Sequence, residues 1–139
     1  MSRKPTVGIA TLGCKVNQYE SEAIAEAFEA CGCATAPFHT SCDVYVINTC
    51  TVTAESDRKA RQMIRRARQQ NGAAFVLVTG CFSQSAPAAV AAIEGVDFVC
   101  GNTNKLAVVE AAMALLAQGE KPQTPTLAVG DVENAPFEP

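Results

Sequence analysis

Four cysteines in this 139-residue sequence each follow a short apolar run: Cys14 after Thr6–Leu12, Cys50 after Val44–Asn48, Cys81 after Ala74–Val78, and Cys100 at the end of Asp97–Val99. Thiolates bind soft metals, carry redox chemistry or act as nucleophiles. The total of seven cysteines is odd, so a complete intramolecular disulfide framework is excluded. Cys14, Cys50 and Cys81 lie 36 and 31 residues apart, so no local chelating loop joins them. Only a fold that gathers strand ends can bring them to one point. Gly13 and Gly80 stand directly before two of them and would let the backbone approach a bulky group closely. Three converging thiolates fit a [4Fe–4S] cluster with one iron left open. They also fit catalytic zinc, although His39 is the only histidine. The plain alternative is that strand-end cysteines fill a core, since cysteine is among the most buried residue types.

The elements that must position these thiols are legible from periodicity. Thr6–Leu12, Val44–Asn48, Ala74–Val78 and the shorter Asp97–Cys100 read as buried parallel strands, and Cys33–Pro37 as a further short one. Between them the period becomes helical. Ala23, Ile24, Ala27 and Phe28 share one face of a helix that Asn17 and Glu20 would cap and Gly32 would end. Ala60, Met63, Ile64 and Ala67 form the stripe of a second helix, stopped by Asn71-Gly72. Ser85 and Pro87 open a short helix to about Glu94, and Lys105–Gln118 forms the last, with Leu106, Val109, Met113 and Leu116 inward. Strand and helix alternate. The expected fold is α/β: three layers, an open and mostly parallel sheet of about five strands, helices on both faces, flavodoxin- or Rossmann-like. In such sheets ligands bind outside the carboxyl ends of the strands, where the four cysteines fall. Residues 1–118 read as one domain. Residues 119–139, polar and proline-bearing, read as a linker.

Hydrophobic residues make up 48% and charged residues 18%, enough for a packed core and unlike a disordered chain. No apolar run reaches the length of a membrane span, and the N-terminus lacks a secretory leader, so a cytoplasmic protein is expected. The net charge of −3 gives no bulk attraction to nucleic acid. Yet six of eleven basic residues crowd into one helix: Arg58, Lys59, Arg61, Arg65, Arg66 and Arg68. They can be a solvated face complementing the helix dipole, or a contact for RNA phosphates or a neighbouring domain. Other ligands of this fold class are excluded by residue. Gly13-Cys-Lys-Val-Asn-Gln18 is no GxGxxG, no GxxxxGK[ST] occurs, and a phospho-accepting aspartate is replaced by Thr49-Cys50. No Ser-His-Asp or Cys-His pair suggests itself around His39.

Three segments taken together, Thr11-Leu-Gly-Cys-Lys-Val-Asn-Gln-Tyr-Glu-Ser-Glu22, Asn48-Thr-Cys-Thr-Val-Thr53 and Thr79-Gly-Cys-Phe-Ser-Gln84, resemble the N-terminal domain of the radical-SAM methylthiotransferases. The resemblance runs from about Val7 to Leu116. Its GCKVNQYES wording is similar to the branch acting on N6-threonylcarbamoyladenosine in tRNA; the isopentenyladenosine branch reads closer to GCQMN and the ribosomal-protein branch closer to GCPKN. The resemblance implies that Cys14, Cys50 and Cys81 hold an auxiliary [4Fe–4S] cluster whose open iron presents sulfur for methylthiolation of C2 of the adenine 3′ of the anticodon. It also implies S-adenosylmethionine and a second cluster, held by CxxxCxxC in a radical-SAM barrel, and a C-terminal RNA-binding domain.

No CxxxCxxC occurs here, so the S-adenosylmethionine chemistry is expected outside this sequence, on domains downstream of the linker. The chain alone is then catalytically incomplete, with tRNA and those domains as its partners and no membrane association. Cys100 is an extra that strand geometry brings near the same edge, either a bystander filling the structure or a fourth ligand when substrate sulfur is absent. Cys31, Cys33 and Cys42 match no ligand position, and Cys31-Gly-Cys33 has no second pair. The alternative from another class is a module without metal that binds RNA or a partner through the basic helix, residues 55–70.

Overall fold

The computed structural model describes residues 5–12, 15–49, 54–80, 96–99, 107–119 and 126–127. The chain runs β1 (Thr6–Thr11), α1 (Lys15–Ala30), β2 (Ala34–Ala36), β3 (Val44–Thr49), α2 (Ala54–Gln70), β4 (Phe75–Gly80), β5 (Phe98–Val99), α3 (Ala107–Gln118) and β6 (Thr126–Leu127). The expected helix at 85–94 lies outside the described residues.

The six strands form one sheet in the order β2-β1-β3-β4-β5-β6, and every pairing is parallel. The expected α/β class with a parallel sheet is therefore what the molecule has. The sixth strand lies within the segment read as a linker: Thr126 and Leu127 pair with Phe98 and Val99. Two residues carry too little periodicity to announce a strand.

Each central strand is apolar on both faces, because helices cover both. Tyr45, Ile47, Val76 and Val78 face α2 and pack on Ala60, Ile64 and Ala67. Val44, Val46, Phe75 and Leu77 face the opposite way, onto Ile24 and Phe28 of α1 and Val108, Val109 and Ala112 of α3. The stripe expected on α2 is the buried one. On α1 the stripe is rotated from expectation. Ser21, Ile24 and Phe28 are buried and Ala23 is exposed. On α3 the deepest residues are Val108, Val109 and Ala112, with Met113 and Leu116 at the margin.

The N-cap expected at Asn17 is not formed, because α1 already begins at Lys15 and Asn17 sits inside its first turn. The cause is tertiary. The Leu12 amide, just past β1, is tied to the Asn48 carbonyl at 2.9 Å, so only Gly13 and Cys14 separate it from the helix. The other end of α1 is as expected. Gly32 adopts φ of 95°, its amide donates to Glu29 O, and the Cys33 amide donates to Phe28 O, both at 3.0 Å. This paired closure of a helix requires a left-handed residue, which glycine adopts without a Cβ clash.

The connection from β2 to β3 is held by Tyr45. Its hydroxyl donates to Thr40 O at 2.5 Å, accepts from the Cys42 amide at 2.9 Å and lies 3.2 Å from Gln70 Nε2 of α2. Burial pushes the Tyr45 phenol above its ordinary range, so it stays a neutral donor. Beneath this loop Gly8 leaves no room for a side chain: a Cβ there would lie 3.0 Å from Cys42 Sγ and 3.1 Å from Phe38 Cα.

Candidate metal centre

Strands β1, β3 and β4 are neighbours and end together. Thr11 is in register with Asn48, and Asn48 with Thr79; one row further on, Thr49 faces Gly80. Adjacent strands of a sheet run about 4.8 Å apart, so the three strand ends span roughly 10 Å. Cys50 directly follows Thr49, Cys81 directly follows Gly80, and Cys14 comes two positions after Leu12. Those three cysteines and Cys100 lie outside the described residues. The structure thus brings the chain to one edge at the positions from which the three expected ligands depart.

The strand order makes this edge special. The crossover from β1 through α1 leads to β2 on one side of β1, and the chain then passes to β3 on the other side. A crevice opens outside the carboxyl ends wherever connections diverge in this way, and it is the usual ligand site of open parallel sheets. Here it falls between β1 and β3, the strands that lead to Cys14 and Cys50. α1 and α2 begin one and four residues after those cysteines. Helix N-termini lower thiol pKa values and favour anionic ligands. β5 ends differently. Its last residue, Val99, is level with Val78, two positions short of Gly80.

The rim is built from buried polar groups where the rest of each strand is apolar. Asn48, Thr49 and Thr79 are fully buried. Burying such groups costs free energy unless they are hydrogen-bonded. Asn48 Nδ2 donates to Ser21 Oγ at 3.1 Å, Thr11 Oγ1 donates to the same Ser21 Oγ at 2.7 Å, and Thr49 Oγ1 donates to Thr79 O at 2.9 Å. Ser21 stands on α1, so this network pins the helix to β1 and β3 on both sides of the Gly13-Cys14 link. Ser21 and Thr11 had no sequence signal of their own. A serine on a helix face beside an asparagine in an apolar strand becomes informative only once the two elements are paired. Thr11 and Ser21 also line an open groove of about 320 Å³ over β1 and β2, which Gln18 and Glu22 border.

Replacing Asn48 by alanine should lower stability by about 1–3 kcal/mol, the cost of a buried hydrogen-bonding group left without its partner. Urea denaturation checks this. The loss in Asn48→Ala should be non-additive with that in Ser21→Ala, because the two share one network.

Cys31, Cys33 and Cys42 are not brought together. Cys31 is exposed, while Cys33 and Cys42 are buried on opposite faces of the sheet. Cys33 Sγ packs 3.6 Å from Met113 Sδ, and burial first, with Cys31 and Asp43 adding, raises its thiol pKa. Cys42 Sγ lies 3.6 Å from Thr40 Oγ1. Both serve as small core residues. Among the described residues no group of three or more His, Cys, Asp or Glu side chains is arranged to hold a metal. The basic residues Arg58, Lys59, Arg61, Arg65, Arg66 and Arg68 are all exposed on α2, opposite its buried stripe. None of the described helices is long and apolar enough to cross a membrane.

Comparison with known proteins adds a second line of evidence. Residues 6–101 match the family described as Uncharacterized protein family UPF0004. A relative in Bacillus subtilis (strain 168), named threonylcarbamoyladenosine tRNA methylthiotransferase MtaB, is 44% identical over 130 residues, covering 94% of this chain and 28% of the relative. The protein of the same name in Aquifex aeolicus (strain VF5) is 40% identical over 115 residues, 83% of this chain and 28% of the relative. More distant is a ribosomal protein uS12 methylthiotransferase RimO of Roseiflexus sp. (strain RS-1), 33% identical over 64% of this chain and 19% of the relative. The chain therefore spans well under half the length of the curated relatives it matches.

Proposed function

Because the chain belongs to the family UPF0004, we propose that it is the cluster-bearing N-terminal domain of a tRNA methylthiotransferase. In this reading Cys14, Cys50 and Cys81 hold a [4Fe–4S] cluster with one open iron. When bound, such a cluster supplies a coordination position at which sulfur can be held for transfer. The substrate is N6-threonylcarbamoyladenosine in tRNA, methylthiolated at C2 of the adenine 3′ of the anticodon. S-adenosylmethionine, a second cluster and further RNA contacts belong to radical-SAM and RNA-binding domains of the same cytoplasmic enzyme, reached through the polar segment after residue 119.

The observation that carries the reading is the common edge of β1, β3 and β4. Its fit to the cluster rests on chemistry present in this chain. Three soft donors follow three adjacent strand ends, two with a glycine just before them, and two lead into helix N-termini. The work of the surrounding residues is positional. Ser21, Asn48 and Thr11 hold α1 against the sheet, so the short link bearing Cys14 has both ends fixed. The name of the Bacillus subtilis relative supports the tRNA nucleoside as substrate.

Anaerobic reconstitution of the chain with iron and sulfide tests the reading. It should yield about four irons per chain and a broad visible absorption band. Stoichiometric zinc uptake with no iron–sulfur spectrum would overturn it.

A further inference from the structure

Five of the six arginines in the sequence lie on α2, and with Lys59 they make six basic residues against two acidic ones on that helix. The rest of the chain holds five basic and twelve acidic residues. A mildly acidic protein thus concentrates positive charge on one exposed helical face.

The arrangement is ordered. Arg58, Arg61, Arg65 and Arg68 recur at spacings of three, four and three, which keeps them in one row along a helix. At 1.5 Å rise per residue the row is roughly 15 Å long. All four are exposed, while Ala60, Ile64 and Ala67 on the opposite face are buried against β3 and β4. A merely solvated helix face mixes the two signs of charge at i, i+4. Here both acidic residues, Glu55 and Asp57, stand in the first turn, where they give opposite charges at i, i+4 to Lys59 and Arg61 alone, and no acidic residue lies within four positions of Arg65 or Arg66. Arginine also outnumbers lysine five to one on the helix, although lysine would serve as well for solubility. The guanidinium fork matches phosphate oxygens two at a time, which an ammonium does not.

We propose that the row Arg58–Arg61–Arg65–Arg68 is a docking surface for the sugar-phosphate backbone of RNA. It contacts phosphates and not base edges, so it positions the nucleic acid without reading its sequence. The choice of tRNA as the RNA rests on the function proposed above; the surface itself rests on charge, exposure and spacing.

The test is fluorescence anisotropy of a labelled, unmodified tRNA transcript with the full 139-residue chain free of iron. For about four neutralised phosphates, affinity should fall by about 50- to 150-fold between 50 and 200 mM salt. The variant carrying Arg58→Gln, Arg61→Gln, Arg65→Gln and Arg68→Gln should bind at least about tenfold more weakly at the low salt, with a slope of log K against log salt shallower by about 3. Lysine at the same four positions should keep the slope. Circular dichroism confirms that each variant folds, since these side chains leave the core untouched. Unchanged tRNA affinity in the glutamine variant would overturn the proposal. So would displacement of the tRNA by polyglutamate at equal charge, which would mark the row as a site for an acidic protein. Iron uptake is measured on the same variants and should equal that of the unmodified chain. Failure of the cluster and failure of this surface therefore give separate results.

Discussion

A chain in which Cys14, Cys50 and Cys81 are all alanine is expected to take up no iron–sulfur cluster, while one with Cys31→Ala, Cys33→Ala and Cys42→Ala is expected to retain about four irons. The contrast follows from position. The first three cysteines depart from neighbouring strand ends that lie in register. Of the other three, one is exposed and two are buried on opposite faces of the sheet. Cys100 is grouped with the second set, since the strand it follows, β5, stops level with Val78, two positions short of Gly80. Cys100→Ala should therefore leave the iron content unchanged. Iron and acid-labile sulfide analysis after anaerobic reconstitution reads all three variants, with circular dichroism as the check on folding. Full iron content in the first variant would remove these cysteines from the site.

Phe28→Ala should cost about 3–5 kcal/mol, the usual loss for a buried phenylalanine truncated to alanine. Phe28 is fully buried on α1, among Val44 and Val46 of the sheet and the residues of α3. Its carbonyl also accepts the Cys33 amide that closes the helix. The loss should be read as a lower urea midpoint with an unchanged slope, since the same surface is exposed on unfolding. Phe28→Leu fills most of the space and should recover more than half of the difference. The variant also separates scaffold from site. If α1 fixes one end of the Gly13-Cys14 link, the weakened helix should lose reconstituted cluster faster in air than the unmodified chain.

Much of this architecture could be read directly from residue order. Runs such as Val44–Ile47 and Ala74–Val78 are apolar at every position, which happens only when both faces of a strand are covered. The helices between them made a parallel sheet the natural solution, and the cysteines at the run ends then pointed to one edge as the candidate site. What escaped depended on contacts between distant segments. Asn17 and Glu20 spell a capping box, but the short link from β1 starts the helix at Lys15. Ala23 and Ser21 are both small, and only Thr11 and Asn48 across the interface decide that the serine turns inward. Thr126 and Leu127 become a strand because the edge of β5 offers them partners, not because their composition asks for it. The strand order, and with it the crevice between β1 and β3, has no local signature.

The uniformly parallel pairing of the sheet has a consequence for how the protein comes into being. Partners in its ladders are far apart in the chain, as Val7 and Val44 or Val44 and Phe75 illustrate. Such non-local contacts form late and make folding slow. Zinc fingers let a metal grip closely spaced ligands and drive folding, because the unfolded chain already offers a short loop. Cys14, Cys50 and Cys81, 36 and 31 residues apart, offer no such loop, and the strands that precede them become neighbours only when β1, β3 and β4 have docked. If those cysteines hold the proposed cluster, the polypeptide is built first and loaded second.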